Sequence, residues 1–466
     1  MFDSSHFLRR LADADPIRAE GRVGQVVGTV VEGTLPDCAI GQLCLILPEE
    51  DRPPLRAEVV GFQGDRVLIM PLGEMRGLKP GSRILSLRHD ARVGVGPGLL
   101  GRVLDGQGQP IDGAGPLQVE AAYPIHGEPV GALRRERITE PLDLGVRAIN
   151  GLLTCAVGQR VGIMAGSGVG KSMLLGQIAR QTRAEVNVIT LVGERGRELR
   201  EFIERDLGPE GLARSVVISA TSDRSPLERV RSAFVATAVA EYFRDRGRRV
   251  LLMMDSLTRF AMAQREIGLS IGEPPTTKGY TPSVFALLPR LLERAGMGAP
   301  APDGTPAGSI TGLYTVLVDG DDMNEPIADA TRAILDGHVV LSRELADRGH
   351  YPAIDVMASK SRLMTEVATT EHWRAALRIQ ELIAAHAGAE TLINIGAYAA
   401  GSNPTVDQAI RMREQIRNYL CQGLEEGAPL EQSIEALLGL ARQASRPPEP
   451  SEPAPAGNAA AQGMRP

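Results

Sequence analysis

One stretch, GIMAGSGVGKSMLLGQIARQ at residues 162–181, constrains the fold more than any other part of the chain. An apolar run leads into it and a helix-like run follows, which predicts a strand, a glycine-rich turn and a helix. Gly166, Gly168 and Gly170 allow successive backbone N–H groups to turn inward around an anion, and the helix dipole adds to that attraction. This is the pattern of a phosphate-binding P-loop, although Ala165 stands where the strict pattern has glycine.

The lysine in this loop is unusual for the chain. Lysine occurs only at positions 79, 171, 278 and 360, whereas lysine and arginine together number 51. A coding bias toward arginine is one explanation of the low count. Against that background, a retained lysine indicates a place where a compact ammonium is needed and a planar guanidinium does not fit. In the P-loop pattern Lys171 reaches the β- and γ-phosphates and the Ser172 hydroxyl binds Mg²⁺. The residues predicted to bind the nucleotide are Gly166, Ser167, Gly168, Val169, Gly170, Lys171 and Ser172; the alternative is a glycine-rich turn without a ligand.

Two further predicted strands end in a carboxylate. RRVLLMMDS predicts a buried strand that delivers Asp255 to a metal ion, usually through water. TLVGERGRELREF predicts a strand with Glu194 at its tip, where a carboxylate can polarise a water for attack on a phosphate. Many strands end in Asp, and Glu194 taken by itself is equally compatible with a solvated residue in a charged loop.

The totals exclude several classes of protein. A chain of 466 residues is long enough for two to four folded units. The formal net charge of −6 argues against a dedicated nucleic-acid-binding protein, which usually has a basic domain. The four cysteines form no C-x-x-C pair, so neither a zinc site nor a disulfide framework is expected. The N-terminus lacks the apolar core of a signal peptide and no apolar run approaches ~20 residues, which predicts a cytosolic protein.

The pattern of the chain changes along its length. Residues 1–18 predict a short amphipathic docking segment, and residues 19–92 contain short β-branched runs broken by Gly, Pro and Asp, which predict a small β-barrel. Residues 93–370 alternate apolar strands with helix-like runs, which predicts an α/β P-loop core with a mostly parallel sheet covered on both faces. Residues 371–445 predict a helical domain, and the Pro/Ala-rich residues 446–466 a disordered tail.

Two shorter expectations concern connections in this pattern. The turn signals in LGRVLDGQGQPIDGAGP predict a connecting hairpin between the barrel and the core. PTVDQAIRMREQIRNYLCQGLEEG reads as one continuous helical run within the C-terminal domain.

The three motifs, in this order, resemble the catalytic subunits of the rotary ATPases, whose catalytic domain is RecA-like. PAIDVMASKS at residues 352–361 matches a further signature of that family, and the resemblance covers roughly residues 20–440. Within the family, GERGRELREFIE and GEPPTTKGYTPSVFALLPRLLERAG are similar to the export ATPases of type III secretion. TSDRSPLERVRSAF and GDDMNEP resemble the injectisome branch more closely, whereas AGSGVGKS and TKGY also occur in the flagellar branch.

The resemblance implies a role for each site residue. It makes Lys171 and Ser172 ligands of the phosphates and Mg²⁺, Glu194 the catalytic base and Asp255 the Walker B carboxylate. It implies that Arg195 and Arg259 lie near the γ-phosphate. By the same resemblance Tyr351 packs on adenine and Arg362 is an arginine finger inserted by a neighbouring subunit; without it, Tyr351 could be a core tyrosine and Arg362 a surface arginine.

The same resemblance carries expectations about assembly and partners. Because Glu194 and Arg362 lie in one chain, each subunit can be both catalytic and finger donor, which predicts a head-to-tail homohexamer. The implied ligands are ATP and Mg²⁺. The implied partners are a stator-like regulatory protein at the N-terminus, a central stalk protein, secretion chaperone–substrate complexes and the export apparatus. The implied location is cytoplasmic, at the inner face of the inner membrane.

Three other functions stay open from the sequence. One is the flagellar protein export ATPase. A second is a RecA-like nucleic-acid motor, which predicts a basic, aromatic-rich N-terminal domain; residues 20–95 contain one aromatic, Phe62, so no nucleic acid is expected as a partner. The third is a non-catalytic ring subunit, against which Glu194 argues because such subunits lack the base.

Overall fold

The computed structural model describes residues 19–48, 52–87, 91–300, 307–318, 320 and 322–445. Within them a β-barrel is followed by an α/β domain with a mostly parallel sheet and then by a helical region, which confirms the expected fold class. The predicted docking segment and the predicted tail lie outside the described residues. No helix among the described residues is long and apolar enough to cross a membrane.

Six strands close the N-terminal barrel in the order β1-β2-β5-β4-β3-β6. Alternate side chains point inward, so Val31, Ile46 and Ile69 are fully buried in its core. Gly28 makes the tight β1–β2 turn with a φ of 58° that a side chain would disfavour. The strands are β1 Glu20–Val27, β2 Val30–Thr34, β3 Leu43–Leu47, β4 Leu55–Gln63, β5 Arg66–Pro71 and β6 Arg83–Ser86.

The central sheet has the order β17-β16-β10-β15-β13-β11-β12-β8, and β14 pairs with β15. The pairs from β16 to β8 along this path are parallel, whereas β17 runs antiparallel at the edge. The remaining strands, β7 and β9, form an antiparallel ribbon. The strands are β7 Arg92–Val95, β8 Val103–Asp105, β9 Ala121–Pro124, β10 Arg160–Ala165, β11 Val186–Val192, β12 Ser215–Ala220, β13 Arg249–Asp255, β14 Gly296–Met297, β15 Ser309–Leu317, β16 Gly337–Leu341 and β17 Ile354–Ser361.

Helices cover both faces of this sheet. Leu252 and Met254 of β13 join a core that includes Phe234, whereas Leu251 points to the opposite core with Ile178. The helices are α1 Arg147–Leu152, α2 Lys171–Gln181, α3 Gly196–Glu201, α4 Gly208–Ala213, α5 Pro226–Arg244, α6 Leu257–Ser270, α7 Pro282–Leu292, α8 Pro326–Ile334, α9 Arg343–Asp347, α10 Met364–Val367, α11 Thr370–Asn394, α12 Pro404–Leu420 and α13 Leu430–Ala444.

The structure differs from the sequence-based expectations at two connections. The expected hairpin is present as a bridge between Leu104 and Pro110, but its first strand, β8, also pairs in parallel with β12 and extends the central sheet. The long helical run predicted from residue 404 ends at Leu420, and residues 421–429 form a loop. The glycines in CQGLEEG explain the second difference, because glycine is unfavourable in a helix interior.

A buried polar cluster joins the C-terminal helices to the α/β domain. The Asp143 carboxylate accepts hydrogen bonds from the Asn150 side chain (2.8 Å) and from the backbone N–H of Leu430 (3.0 Å). Asn150 also donates to the carbonyl of Ala428 at 3.0 Å. Asp143 and Asn150 are both buried, so these bonds satisfy groups that would otherwise be costly to remove from water. The start of α13 is thereby fixed against α1.

Close packing at Gly151 generates the first prediction. A Cβ at this position would lie 1.9 Å from the hydroxyl oxygen of Tyr419, whose O–H donates to the carbonyl of Ser433 at 2.9 Å. Gly151→Ala is therefore expected to lower the free energy of unfolding by about 1–3 kcal/mol, the usual cost of overpacking. Thermal or chemical denaturation measures this change.

Gly388 provides a matched control because it lies in α11 with open space where a Cβ would be added. Gly388→Ala should leave stability unchanged or raise it by up to ~1 kcal/mol, since alanine favours helix. Equal effects of the two substitutions would contradict the packing argument.

Candidate nucleotide-binding site

The candidate site lies at the carboxyl edge of the parallel sheet, where ligands bind in open α/β folds. β10 ends at Ala165 and runs into the P-loop, β13 ends at Asp255, and β11 ends just before Glu194. The register pairs Leu191 of β11 with Asp255, so the two carboxylate-bearing strand ends are neighbours. Three motifs far apart in sequence therefore meet at one edge.

Lys171 lies between the two carboxylates. Its ammonium donates to Asp255 and lies 3.9 Å from an oxygen of Glu194. Exposed fractions of the three side chains are 12%, 5% and 14%, so the cluster is largely removed from water. The Thr315 hydroxyl of β15 donates to the same Asp255 oxygen at 2.7 Å and helps to fix the position of the carboxylate. The charges of this buried cluster are thus paired, as burial requires.

The environment favours the protonated form of Glu194. Burial, the charge of Asp255 and a hydrogen bond with Glu198 raise the pKa of Glu194 above its ordinary value. The same hydrogen bond lowers the pKa of Glu198 below its ordinary value. A carboxyl whose pKa is raised toward neutrality is suited to accept a proton from water.

Arg259 is the second cation close to Glu194. An added Cβ at Gly193 would lie 3.3 Å from the Cβ of Arg259, and the Arg259 charge acts on the pKa of Glu194. The Nε of Arg259 is buried without a hydrogen-bond partner among the described residues. A buried guanidinium N–H with no acceptor is suited to an anionic oxygen.

Two of the three predicted P-loop glycines have a left-handed backbone. Gly168 and Gly170 have φ values of 79° and 87°, in the left-handed region. Gly170 is the N-cap of α2, and no side chain caps the first turn. The N–H groups at the start of α2 are therefore available to an anion, and Ser172 beside them is exposed.

The donor set suits Mg²⁺ carried by a triphosphate rather than a closed metal cage. Among the residues that the structure describes, no group of three or more His, Cys, Asp or Glu side chains could hold a metal ion. Mg²⁺ typically uses one or two protein oxygens and completes its shell with water and phosphate. The Asp255 carboxylate and the Ser172 hydroxyl fit that requirement.

A cavity of about 250 Å³ opens beside the P-loop. It is lined by three residues of α2, by residues 351–353 and by the loop residues Gln422–Leu424; the three in α2 are Met173, Leu174 and Gln177. The Tyr351 side chain is 44% exposed, and its ring lies 3.5 Å from where a Cβ would stand on Gly170. A mainly apolar cavity with one aromatic wall is suited to a flat base.

Arg362 lies away from this site. Leu341 of β16 is beside both Ala165 and Ile354, whereas Gly337 at the other end of β16 is opposite Ser361. Four residues of strand separate the two ends by roughly 13 Å. Arg362 follows Ser361 and donates to the carbonyl of Arg332 at 3.2 Å. Arg362 is therefore exposed near the amino ends of the parallel strands, whereas the P-loop lies at their carboxyl ends.

Arg195 also lies apart from the buried cluster. Its side chain is 74% exposed and lies 3.8 Å from Glu198 at the start of α3. The role of Arg195 near the γ-phosphate stays a prediction.

Some residues of the site were missed by the sequence-based prediction. Thr315 lies inside a continuous apolar strand and carries no local signal. Gln422–Leu424 lie in CQGLEEG, whose two glycines between helical runs could have indicated a loop. Glu198 could have been found from its position four residues after Glu194.

The fold and the site define a P-loop nucleoside triphosphatase with an N-terminal barrel. Family models match three segments: the ATP synthase alpha/beta family beta-barrel domain at residues 23–88, its nucleotide-binding domain at residues 145–361, and the T3SS EscN ATPase C-terminal domain at residues 368–439. The chain belongs to the ATP synthase alpha/beta family, whose members hydrolyse ATP.

Named relatives come from two export systems. The flagellum-specific ATP synthase of Bacillus subtilis is 52% identical over 91% of this chain and 96% of its own length. The type 3 secretion system ATPase of Xanthomonas euvesicatoria is 50% identical over 93% of this chain and 96% of its own length. The solved structure of assembled EscN in complex with its central stalk EscO, from enteropathogenic E. coli, is 44% identical, with a TM-score of 0.82 over 90% of this chain and 100% of that chain.

The buried cluster generates the second prediction. Glu194→Gln is expected to bind ATP normally but to hydrolyse it at least ~100-fold more slowly, because an amide cannot accept the proton of the attacking water. Lys171→Ala is expected to lose nucleotide binding as well as hydrolysis. Binding of a fluorescent ATP analogue and steady-state phosphate release separate the two effects.

Glu201→Gln is the matched control, since Glu201 is on α3 and pairs with Arg197 outside the cluster. Its turnover should equal that of the wild type. Unchanged turnover of purified Glu194→Gln would remove Glu194 from the mechanism.

Proposed function

We propose that the chain is the Mg²⁺-dependent ATPase motor of a bacterial type III protein secretion apparatus, acting as a homohexamer. ATP hydrolysis releases substrate proteins from their chaperones and drives their export. The observation that carries the proposal is the separation of the site: Lys171, Glu194 and Asp255 meet at one sheet edge, and Arg362 is exposed at the other. A site divided in this way is completed by a second copy of the chain.

Each residue has a part in hydrolysis. Lys171 exchanges Asp255 for oxygens of the β- and γ-phosphates, and the P-loop N–H groups hold the same oxygens. Glu194 orients a water whose oxygen attacks the γ-phosphorus as the bond to ADP breaks, and it accepts the water's proton. Ser172 and Asp255 would hold Mg²⁺, which would supply positive charge beside the phosphates. Arg259 supplies further positive charge, and the family resemblance implies the same for Arg195.

The position of Arg362 supports a ring. Subunits related by rotation and joined head to tail place the same two surfaces in contact at every interface. The exposed Arg362 of one subunit then faces the P-loop of the next, where it stabilises charge that is present only in the transition state. Six copies give six equivalent sites.

Mixing two inactive variants tests this division, and it is the third prediction. Arg362→Ala retains a sound P-loop, and Lys171→Ala retains a sound Arg362. Each alone is expected to assemble but to hydrolyse ATP poorly. Mixed rings should recover activity wherever an intact Arg362 faces an intact P-loop, as measured by phosphate release after co-assembly.

The control for mixing is Arg332→Ala combined with Lys171→Ala, because Arg332 contacts Arg362 only through its backbone carbonyl. Co-assembly is verified by native mass spectrometry with one variant tagged. Demonstrably mixed rings of Arg362→Ala and Lys171→Ala that stay inactive would contradict action in trans by independent sites.

Partners are proposed from the relatives. The EscN structure is described as a complex with a central stalk, and we extend to this chain a stalk protein passing through the ring. Secretion chaperone–substrate complexes and the export apparatus complete the set of partners, which sets the ring at the cytoplasmic face of the inner membrane.

The proposal also assigns the chain to the injectisome branch rather than to the flagellar branch. TSDRSPLERVRSAF and GDDMNEP support the injectisome, whereas the flagellar relative is as similar as the injectisome relative. Complementation decides: expression in a strain that lacks its injectisome ATPase should restore effector secretion, and restored motility in a flagellar ATPase mutant instead would assign the flagellar branch.

A nucleic-acid motor has little support, because Phe62 is the single aromatic of residues 20–95 and offers no stacking platform; ATPase activity stimulated by RNA would favour it.

The N-terminal segment gives the fourth prediction. The sequence MFDSSHFLRRLA predicts an amphipathic helix with apolar residues on one face and charged residues on the other, which would suit docking on a stator-like regulatory protein. Deletion of residues 1–18 is expected to leave ATPase activity largely intact and to abolish stator binding and secretion. Co-purification with a tagged stator measures the loss; a truncated chain that still co-purifies would contradict the docking role.

A further inference from the structure

The cavity beside the P-loop has one wall that comes from the C-terminal helical region. This wall is the loop between α12 and α13, residues 421–429, of which Gln422–Leu424 line the cavity. A loop of this length has no fixed position of its own, so contacts from elsewhere must hold it.

The side chain of Arg147, at the start of α1, contacts both the loop and the helix that precedes it. Its Nε donates to the carbonyl of Tyr419 at 2.9 Å and its Nη2 to the carbonyl of Cys421 at 2.6 Å. Its Nη1 pairs with the carboxylate of Glu426. The guanidinium is 19% exposed and thus binds the carboxyl end of α12 and the far side of the loop together.

The two ends held by Arg147 enclose the residues that line the cavity. The backbone N–H of Arg147 donates to the Gln422 side chain at 2.8 Å, and the Gln422 amide donates to the carbonyls of Gly145 and Glu426 at 2.8 and 2.7 Å. The Glu426 carboxylate accepts the N–H of Gly423 at 3.0 Å. The loop is therefore closed on itself around the arginine.

The loop is also joined to both other walls of the cavity. The N–H of Gln422 donates to the carbonyl of Tyr351 at 2.9 Å. Gln177 and Arg180 of α2 donate to the carbonyls of Gly423 (3.1 Å) and Leu424 (3.0 Å). Arg147 is not among the residues that line the cavity, and its side chain bonds to Tyr419, Cys421 and Glu426, which do not line it either. The Arg147 side chain therefore acts through the loop.

We propose that Arg147 is a positioning residue for nucleotide-base binding, which holds the loop of residues 421–426 against Tyr351 so that the cavity has its second wall. The proposal rests on the proposed function, in which this cavity takes the adenine of ATP. It separates the two halves of the nucleotide site: the P-loop binds phosphate without Arg147, and the base binds only when Arg147 is in place.

The test compares ATP, which has a nucleotide base, with inorganic tripolyphosphate, which has none. In full-length Arg147→Ala, the KM for ATP should rise about tenfold or more, which corresponds to at least about 1.4 kcal/mol. The kcat should stay within about twofold, and inorganic tripolyphosphate should inhibit with an unchanged Ki. Tyr351→Ala should give the same pattern, and Arg147→Ala combined with Tyr351→Ala should be no worse than the poorer single variant, because both remove one pocket.

Two further variants guard against a general loss of structure. Arg183→Ala removes a contact to Glu431, which also joins the α/β domain to the C-terminal helices, and a contact to Asp143; it should leave the KM unchanged. Glu426→Gln removes one contact of Arg147 and should raise the KM for ATP by a smaller factor, again with an unchanged Ki for tripolyphosphate.

An equal rise in the KM for ATP and the Ki for tripolyphosphate would overturn the positioning role, as would an unchanged KM or additive effects of Arg147→Ala and Tyr351→Ala. Failure of the proposed function would give a different result. The wild-type protein would then show no Mg²⁺-dependent ATP hydrolysis that Lys171→Ala could abolish.

Discussion

The pairing of Lys171 with Asp255 and Glu194 depends on the parallel register of the sheet. A P-loop strand supplies the cation, and neighbouring strand ends supply the carboxylates, so the three charges meet only if β10, β15, β13 and β11 run in one direction. Thr315 stabilises the cluster from the strand between them. The fold thus brings charges that are distant in sequence together in the protein interior, where charge interactions are stronger than in water.

The edge strand β17 joins the two parts of the site that we propose. β17 starts beside the cavity, after Tyr351, and ends at the opposite edge, before Arg362. Because β17 is antiparallel to β16, one short segment runs from the cavity to an exposed cation, which our proposal assigns to the site of a neighbouring subunit. The trans arrangement that we propose needs no movement of the chain, only a neighbour.

The sequence predicted the α/β core and the P-loop because both have local signals. The strand–glycine–helix order around Lys171 and the continuous apolar runs before Asp255 and Glu194 each specify their own element. Sequence could not predict contacts that depend on three-dimensional proximity. Thr315 resembles any other residue of a buried strand, and Arg147 is one arginine among many; their partners are 60 and more than 270 residues away. The role of Arg362 was predicted from resemblance alone, since its surroundings in the sequence carry no signal of a partner subunit.

The central claim is that each site needs a residue from a second copy. Specific ATPase activity of the wild type, measured over a dilution series while mass photometry reports the ring fraction, tests it most directly. We predict that activity per subunit falls in proportion to the fraction of rings and approaches zero for monomers, which retain Lys171 and Glu194 but face no Arg362. Constant activity per subunit while the rings dissociate would contradict the claim and place the complete site within one chain.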